Sequence, residues 1–473
     1  WRAGALAGAA LAVLFLADPR WAFYAAVLAA GYWLAVLPPF ARPRPPGRDL
    51  AAAAGLAALF LSLSAILLLP LFVFVTRSNR AALSLADAAV FSMPPLYLLG
   101  LLIPDLGGFH EWMTYLGVAP LLLALLAAIV RRQWFWGLAA LAAGGFALGA
   151  NSVVFPLLFR VLPGLGYLRV PPRAWFVVAL AVAILGAQGL QYLIVDAWPR
   201  LRSSPALPRL RRFLPAAPVA LAAILGLTLL DLWRVDVTLW EARPRPARVP
   251  AADWIAAHGA GERFRVYSPS YSLPLDDGLE HVDGVNPLQL AGSARVIAAA
   301  AGVPLAGYSV TLPRLDGPDL ATANAAAVPD AAALGVLNVK YVAAEFPLEA
   351  PALRLAETFG RTRVYENLAF RPRVWREPEG PAALVEWSPN RLVVQAEGPG
   401  RLVVSEVAYP GWEAWVDGRP TPLDTAESIL RAVPLEAGPH RVVLEFRPPS
   451  GLWGAAITLA GLAVLAGSLR WAR

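Results

Sequence analysis

The stretch "LPGLGYLRVPPRAWFVVALAVAILG" runs from Leu162 to Gly186 and joins two chemistries. Arg169 and Arg173 flank the Pro171-Pro172 pair, and no further charge follows until Asp196. A run of roughly 20 apolar residues is enough to cross a bilayer. The segment therefore reads as a membrane span with two arginines and a stiffened Pro-Pro turn at its border. That reading sets the class of the whole chain.

The totals agree. Of 473 residues, 58% are hydrophobic and 15% charged, and the mean hydropathy is +0.55. An ordinary soluble chain carries roughly 25% charged residues. The net charge of +7 does not point to nucleic acid, because the arginines sit in short loops between apolar runs, where topology signals lie. There is no cysteine, so disulfides, thiolate metal sites and a Cys nucleophile are excluded. The chain opens on Trp1 directly ahead of "RAGALAGAALAVLFLA", which reads as a piece whose upstream part is missing.

Apolar runs near 3–17, 21–39, 50–75, 115–130, 134–150, 174–195, 213–232 and 451–469 predict about eight spans. The run "SVVFPLLFRVL" is too short to cross and reads as re-entrant or interfacial. One set of loops holds Arg2, Arg42, Arg44, Arg48, Arg131, Arg132, Arg200, Arg202, Arg209, Arg211, Arg212, Arg470 and Arg473. The alternate set holds Arg20, Arg77, Arg80, Arg160, Arg169 and Arg173. The richer set is read as cytoplasmic. This expects a bacterial cytoplasmic-membrane protein with residues 233–450 outside and the C-terminus inside. The expected domains are 1–232 (multi-span), 233–370 (mixed α/β), 371–450 (β-sandwich-like) and 451–473 (a closing transmembrane helix).

The exterior reading rests on pattern. "ADWIAAHGAG" predicts a short helix ending at Gly259 or Gly261. "RFRVYSP", "VKYVAAE" and "TRVYENL" predict strands, as do "RLVVQAEG", "RLVVSEVAY" and "HRVVLEF". In "WEAWVDGRP", Asp417-Gly418 predicts a tight hairpin. Trp412 and Trp415 should then face opposite sides, leaving one for the core and one for a ligand or solvent.

Against the positive-inside trend, Arg77, Arg80, Arg169 and Arg173 form an outer basic group. Guanidinium forks match phosphate oxygens in a bidentate manner, so these four are the candidate substrate-binding residues. The plainer reading has them snorkel to headgroups or pair with Asp87, Asp105 or Glu111. Outer carboxylates at Asp18, Asp105 and Glu111 suit a general base or a divalent ion, and equally suit turns. "DDGLEHVDG" (Asp276, Asp277, Glu280, His281, Asp283) lacks Ca²⁺-loop spacing and reads as a solvated loop. His110, His258, His281 and His440 are too scattered for a zinc site. No Gly-rich phosphate loop, nucleophile elbow or HExxH helix occurs.

"LLLPLFVFVTRSNR", "MPPLYLLGLLIPDLGG", "YLGVAPLLLALLA" and "LPGLGYLRVPPRAWFV" resemble, in order, the membrane region of bacterial YfhO-like proteins. "VDGVNPLQL", "LGVLNVKYV", "RVYENLAFRPRVW" and the "PGWEAWVDGRP" hairpin extend that resemblance over nearly the whole chain. The resemblance implies a GT-C type membrane glycosyltransferase. Such an enzyme moves a sugar from a polyprenyl-phosphate carrier to a cell-envelope glycan or polymer acceptor on the outer face. Its usual catalytic carboxylate lies in a first outer loop, which here would fall upstream of Trp1. The catalytic residue is therefore unassigned, and "LADPRWAFY" departs from the family pattern around Asp18. The positions that match are Arg77, Ser78 and Arg80, and Arg169, Pro172 and Arg173. No cofactor is identified beyond the room such chemistry leaves for a divalent cation. The alternative, from a different class, is a non-enzymatic envelope scaffold or lipid-carrier binding protein.

Overall fold

The computed structural model describes residues 2–36, 46–81, 83–203, 215–239, 249–259, 261–273, 278–317 and 319–470, with the side chains of 2–3, 36, 46–49 and 469–470 left aside. Arg42, Arg44, Arg209, Arg211, Arg212, Asp276, Asp277 and Arg473 lie outside the described residues, as do the side chains of Arg2, Arg48 and Arg470. The chain divides into two compact units. One comprises Trp1–Leu61 and Ala82–Pro244, the other Ser62–Ala81 and Arg245–Arg473.

The first unit is helical. Its helices are α1 (Arg2–Ala17), α2 (Pro19–Val36), the start of α3 (Pro46–Val75) and the single turn α4 (Leu85–Ala88). Then come α5 (Val118–Val130), α6 (Trp134–Ala147), α7 (Val154–Val161), α8 (Trp175–Gln191), α9 (Trp198–Ser203) and α10 (Ala217–Leu239). All the apolar runs read from the sequence are helical, but not all can be spans. Among the described residues four stretches are long and apolar enough to cross a membrane: Leu50–Val75, Pro171–Ser203, Ala217–Leu239 and Pro449–Ser468. This replaces the expected eight. The reason is length: at about 1.5 Å per residue a 13-residue helix such as α5 reaches only about 20 Å, against a hydrocarbon core of about 30 Å. Apolar composition marks a buried or lipid-facing helix; length decides whether it crosses.

Small residues let these helices approach. A Cβ on Gly189 of α8 would lie 2.0 Å from the Leu123 carbonyl oxygen of α5, so only glycine fits there. The core of this unit gathers Met93, Ala127, Ala147, Val178 and Leu185.

The second unit contains the end of α3, then α11 (Pro250–His258), α12 (Ala291–Ala300), α13 (Ala331–Val336) and α14 (Pro449–Arg470). Within it, α14 packs on α3 through Gly454, Thr458 and Gly461. A Cβ on Gly454 would stand 2.6 Å from the Ala65 carbonyl oxygen. The Thr458 hydroxyl donates to the Ser62 carbonyl at 3.1 Å and accepts from the Ile66 amide at 3.0 Å. An α-helix normally pairs those two backbone groups with each other, so Thr458 inserts into the α3 ladder.

Two sheets carry the rest. In the first, β1 (Arg265–Tyr267), β2 (Glu280–His281), β5 (Val339–Ala344), β6 (Leu353–Phe359) and β7 (Thr362–Asn367) run in the order β2-β1-β5-β7-β6. Strands β1 and β5 are parallel, and the β7 pairings are antiparallel. A small ladder joins β3 (Gly284–Val285) to β4 (Thr311–Leu312). Helix α11 ends at a Gly259 cap, as its sequence predicts.

The second sheet holds β8 (Val374–Glu377), β9 (Ala382–Ser388), β10 (Arg391–Val407), β11 (Trp412–Val416), β12 (Arg419–Thr421), β13 (Asp424–Ala426) and β14 (Leu430–Phe446). "RLVVQAEG" and "RLVVSEVAY" are not two strands but the halves of β10, which bulges at Gly398–Gly400 against β14. The first half of β10 pairs with β9, the second with β8. Both halves feed one core containing Leu392, Val394, Leu402 and Val404. The expected sandwich is thus one seven-stranded antiparallel sheet bent across its long hairpin. Alternation sends Val403 and Ala432 to the opposite face, where they join the core of the five-stranded sheet with Tyr267, Leu334 and Val342. Asp417 and Gly418 take φ of 52° and 81°, the two left-handed positions that a two-residue hairpin requires.

Candidate functional site

Among the described residues of the helical unit, four charged side chains meet beside an apolar groove. Asp18 is the single non-helical residue between α1 and α2, and Arg20 sits in the first turn of α2. Arg20 grips Asp18 side-on, with Nε at 3.0 and 3.1 Å from the two carboxylate oxygens and Nη2 at 2.6 Å. Glu111 lies in the 3-10 turn His110–Trp112, and Arg173 in the turn Pro171–Ala174 that leads into α8. Arg173 grips Glu111 in the same way, Nε at 3.1 and 2.9 Å and Nη2 at 2.7 Å. The two pairs act on each other: the field of Arg173 reaches Asp18, and that of Glu111 reaches Arg20. Both arginines engage through Nε and Nη2, which leaves the Nη1 edge of each uncommitted among the described residues.

Backbone geometry holds Arg173 in place. Val170 takes φ +63° and ψ +74°, a left-handed conformation that β-branched residues avoid. Such strain costs of order 1–3 kcal/mol and persists only where the surroundings over-determine it. Here Val170, Pro171, Pro172 and Ala174 are all buried. The strained turn presents Arg169 on one side, where its Nε donates to the Asp87 carbonyl at 3.0 Å, and Arg173 on the other.

Beneath the cluster is a cleft of about 340 Å³ between α2, α6, α7 and α8. Phe23, Tyr24, Leu28, Phe135, Phe146, Leu158, Leu165, Ala174 and Val177 line it, and none carries a charge. Tyr24 links cleft and cluster, because the charges of Arg173, Arg20 and Glu111 all act on its hydroxyl. Val27 and Leu138, also on the wall, are exposed, so the groove opens sideways on an apolar surface.

The other sequence candidates separate. Arg77 and Arg80 belong to the second unit, Arg169 and Arg173 to the first. The Arg77 Nη1 donates to the Val73 carbonyl of its own helix at 3.0 Å. Arg80 donates to the Tyr308 hydroxyl at 3.3 Å and lies 5.5 Å above that ring. Asp87 closes a capping box with Ser84, and Asp105 accepts from the Gly107 amide in a turn. Trp412 and Trp415 do face opposite sides. Trp412 packs against the bent-sheet core under the Arg431 guanidinium at 3.4 Å, and Trp415 sits outside under Arg447 at 5.1 Å. Among the described residues no three His, Asp or Glu groups stand close enough to hold a metal ion.

Sequence reading missed a second charged cluster, in the β-rich unit. Arg373, with a side chain 2% exposed, bridges Glu280 of β2 and Glu406 of β10, the latter at 2.7 Å. Arg265 joins Glu406 at 3.2 Å, and Arg263 joins Glu280. Burial pushes the Arg265 guanidinium down to about 10, with Glu406 opposing that shift. This cluster ties the two sheets together. Its residues lie far apart in sequence.

Comparison with protein-family models, with curated proteins and with solved structures yields no match to this chain.

Proposed function

We propose that this protein is a membrane glycosyltransferase of the GT-C type, taking a sugar from a polyprenyl-phosphate carrier to a cell-envelope acceptor on the outer face. One observation carries the reading: two arginine–carboxylate pairs stand beside an uncharged groove whose mouth is lined by the exposed apolar residues Val27 and Leu138. The groove suits the isoprenoid segment next to the phosphate. Arg173 and Arg20 suit the phosphate itself, since donors fixed where charge develops stabilise a leaving group. Asp18 or Glu111 would accept the proton of the acceptor hydroxyl. The bond from the anomeric carbon to the phosphate oxygen breaks as the bond to the acceptor oxygen forms. Polyprenyl phosphate departs with the electron pair, and the anomeric configuration inverts.

The test is transfer from a polyprenyl-phosphate sugar by the purified chain in proteoliposomes. Asp18→Asn or Glu111→Gln is expected to lower turnover by at least about 100-fold, the usual contribution of a general base. Arg173→Ala is expected to raise the donor KM. If all three variants transfer like the parent, or the parent does not transfer, the enzyme reading fails. A second reading, a lipid-carrier binding or scaffold protein, is favoured by the fact that each arginine is already satisfied by a carboxylate. It expects Arg173→Ala to weaken carrier binding with no turnover to lose.

A further inference from the structure

The second unit holds a cleft of about 220 Å³ lined by one arginine and four hydroxyl side chains. Its walls come from four places in the chain. Arg77 follows the end of α3, Ser293 lies in the first turn of α12, Tyr409 follows β10, and Thr425 and Ser428 flank the β13–β14 turn. Arg77 is the sole charged residue on these walls. No carboxylate lies within ion-pair distance of it among the described residues, and one of its N–H groups is anchored on the Val73 carbonyl. The Ser293 Oγ is wholly buried and has no hydrogen-bond partner. The hydroxyls of Tyr409, Thr425 and Ser428 make no hydrogen bond among the described residues either.

Local backbone adds to this. Helix α12 starts at Leu290, whose side chain cannot cap it. The Ala291 amide is taken by the Arg77 carbonyl at 2.9 Å, but the next two amides, of Gly292 and Ser293, have no such partner. Uncapped first-turn amides are an anion-binding arrangement when a cation and hydroxyls share their cleft. The turn that carries Ser428 is itself strained, with Glu427 and Ser428 at φ of 45° and 65°. Two anchors fix the approach of Arg77 to α12: a bridge between Ser78 and Leu290, and the Asn79 amide on the Gln289 carbonyl at 2.9 Å.

We propose that this cleft binds a phosphate ester, with Arg77, Ser293 and the two free amides as its principal donors. A guanidinium, hydroxyls and amides together match a multiply charged oxyanion with several acceptor oxygens. Arg77 stands two residues past the Leu50–Val75 span, which places the cleft where the phosphate of a lipid headgroup would lie. A free phosphate compound has the same chemistry, so the experiment separates the two sources. The proposal does not rest on glycosyl transfer: a chain without transferase activity would still bind here.

The measurement is calorimetric titration of the full chain in uncharged detergent, in an Arg20→Ala, Arg173→Ala background that removes both arginines of the other cluster. Inorganic phosphate and a short-chain phosphatidic acid are the two probes. The expected result is saturable binding that Arg77→Ala weakens at least tenfold and Ser293→Ala severalfold. Thr425→Ala with Ser428→Ala serves as a milder pair should Arg77→Ala fold poorly, and is expected to weaken binding severalfold. Tighter binding of phosphatidic acid assigns the site to a headgroup, and tighter binding of inorganic phosphate assigns it to a soluble phosphate. Absence of binding by both probes, or binding that none of these variants changes, overturns the proposal.

Discussion

Two arginine–carboxylate clusters, one in each unit, differ in geometry and in burial: Arg20 and Arg173 bind side-on through Nε and Nη2, whereas Arg373 reaches two glutamates through Nη1 and Nη2. In the β-rich unit the Arg373 side chain is 2% exposed and bridges two glutamates drawn from different sheets. In the helical unit Arg173 and Glu111 are 22% and 20% exposed, and the pair stands beside an open groove. A fully desolvated charge such as Arg373 is costly to leave without its partner, whereas a partly exposed pair beside an open groove is better screened and worth less. The first arrangement therefore reads as glue between sheets, and the second as a place where a ligand can compete for the arginine.

The comparison can be broken most directly at its centre. Removing Glu406 leaves Arg373 and Arg265 buried with less countercharge. Glu406→Ala is expected to destabilise the chain by about 3–5 kcal/mol in denaturant titration of the detergent-solubilised protein. The matching change Glu111→Ala is expected to cost no more than about 1 kcal/mol. Equal losses would erase the distinction drawn here.

A smaller effect tests the packing that sets each unit. Gly189→Ala puts a Cβ 2.0 Å from the Leu123 carbonyl, so α5 and α8 must part. Overpacking of this kind typically costs about 1–3 kcal/mol, read as a lower thermal midpoint of the helical unit. In the other unit Thr458→Val removes the hydroxyl that α14 inserts into α3. Interhelical hydrogen bonds in membranes average about 0.6 kcal/mol, so the loss should be slight, and a loss of several kcal/mol would show the insertion to be structural.

The smallest expected effect is titration at the β11–β12 hairpin. The Asp417 carboxylate accepts from the Arg441 amide and from His440 Nδ1 at 2.7 Å. The Arg441 amide, then the His440 contact, holds the Asp417 carboxyl below its ordinary 3.8. The Asp417 contact raises His440 above its ordinary 6.5. A raised histidine stabilises the fold fully below its unfolded value and loses that effect as pH climbs through the raised one. The lowered carboxylate does the reverse, losing its contribution as pH falls through the lowered value. The pair therefore supports the fold best between about pH 4 and about 6.5. The denaturation midpoint should drop slightly from pH 6 to pH 9 and His440→Ala should abolish that drop, to about the precision of such midpoints.

Sequence by itself determined a good deal. It located the long apolar helices among the described residues, the β-rich C-terminal run with its Asp417-Gly418 hairpin, and the opposed faces of Trp412 and Trp415. These follow from local rules: hydrophobic content, period-two alternation and turn conformation act within a few residues. It also named Glu111 among three partners for Arg77, Arg80, Arg169 and Arg173. What it could not supply is any quantity that depends on distance in space. Helix ends, which with hydropathy leave four of the eight apolar runs as candidate spans among the described residues, depend on caps and packing. The merger of two predicted strands into β10 depends on a partner 40 residues away that keeps pace through a bulge. The grouping of Asp18, Arg20, Glu111 and Arg173 over one groove, and the division of Arg77, Arg80, Arg169 and Arg173 between two units, were decided only by the tertiary structure. Charged side chains carry no periodicity that reports which distant loop will face them, so their partners emerge only when the chain has packed.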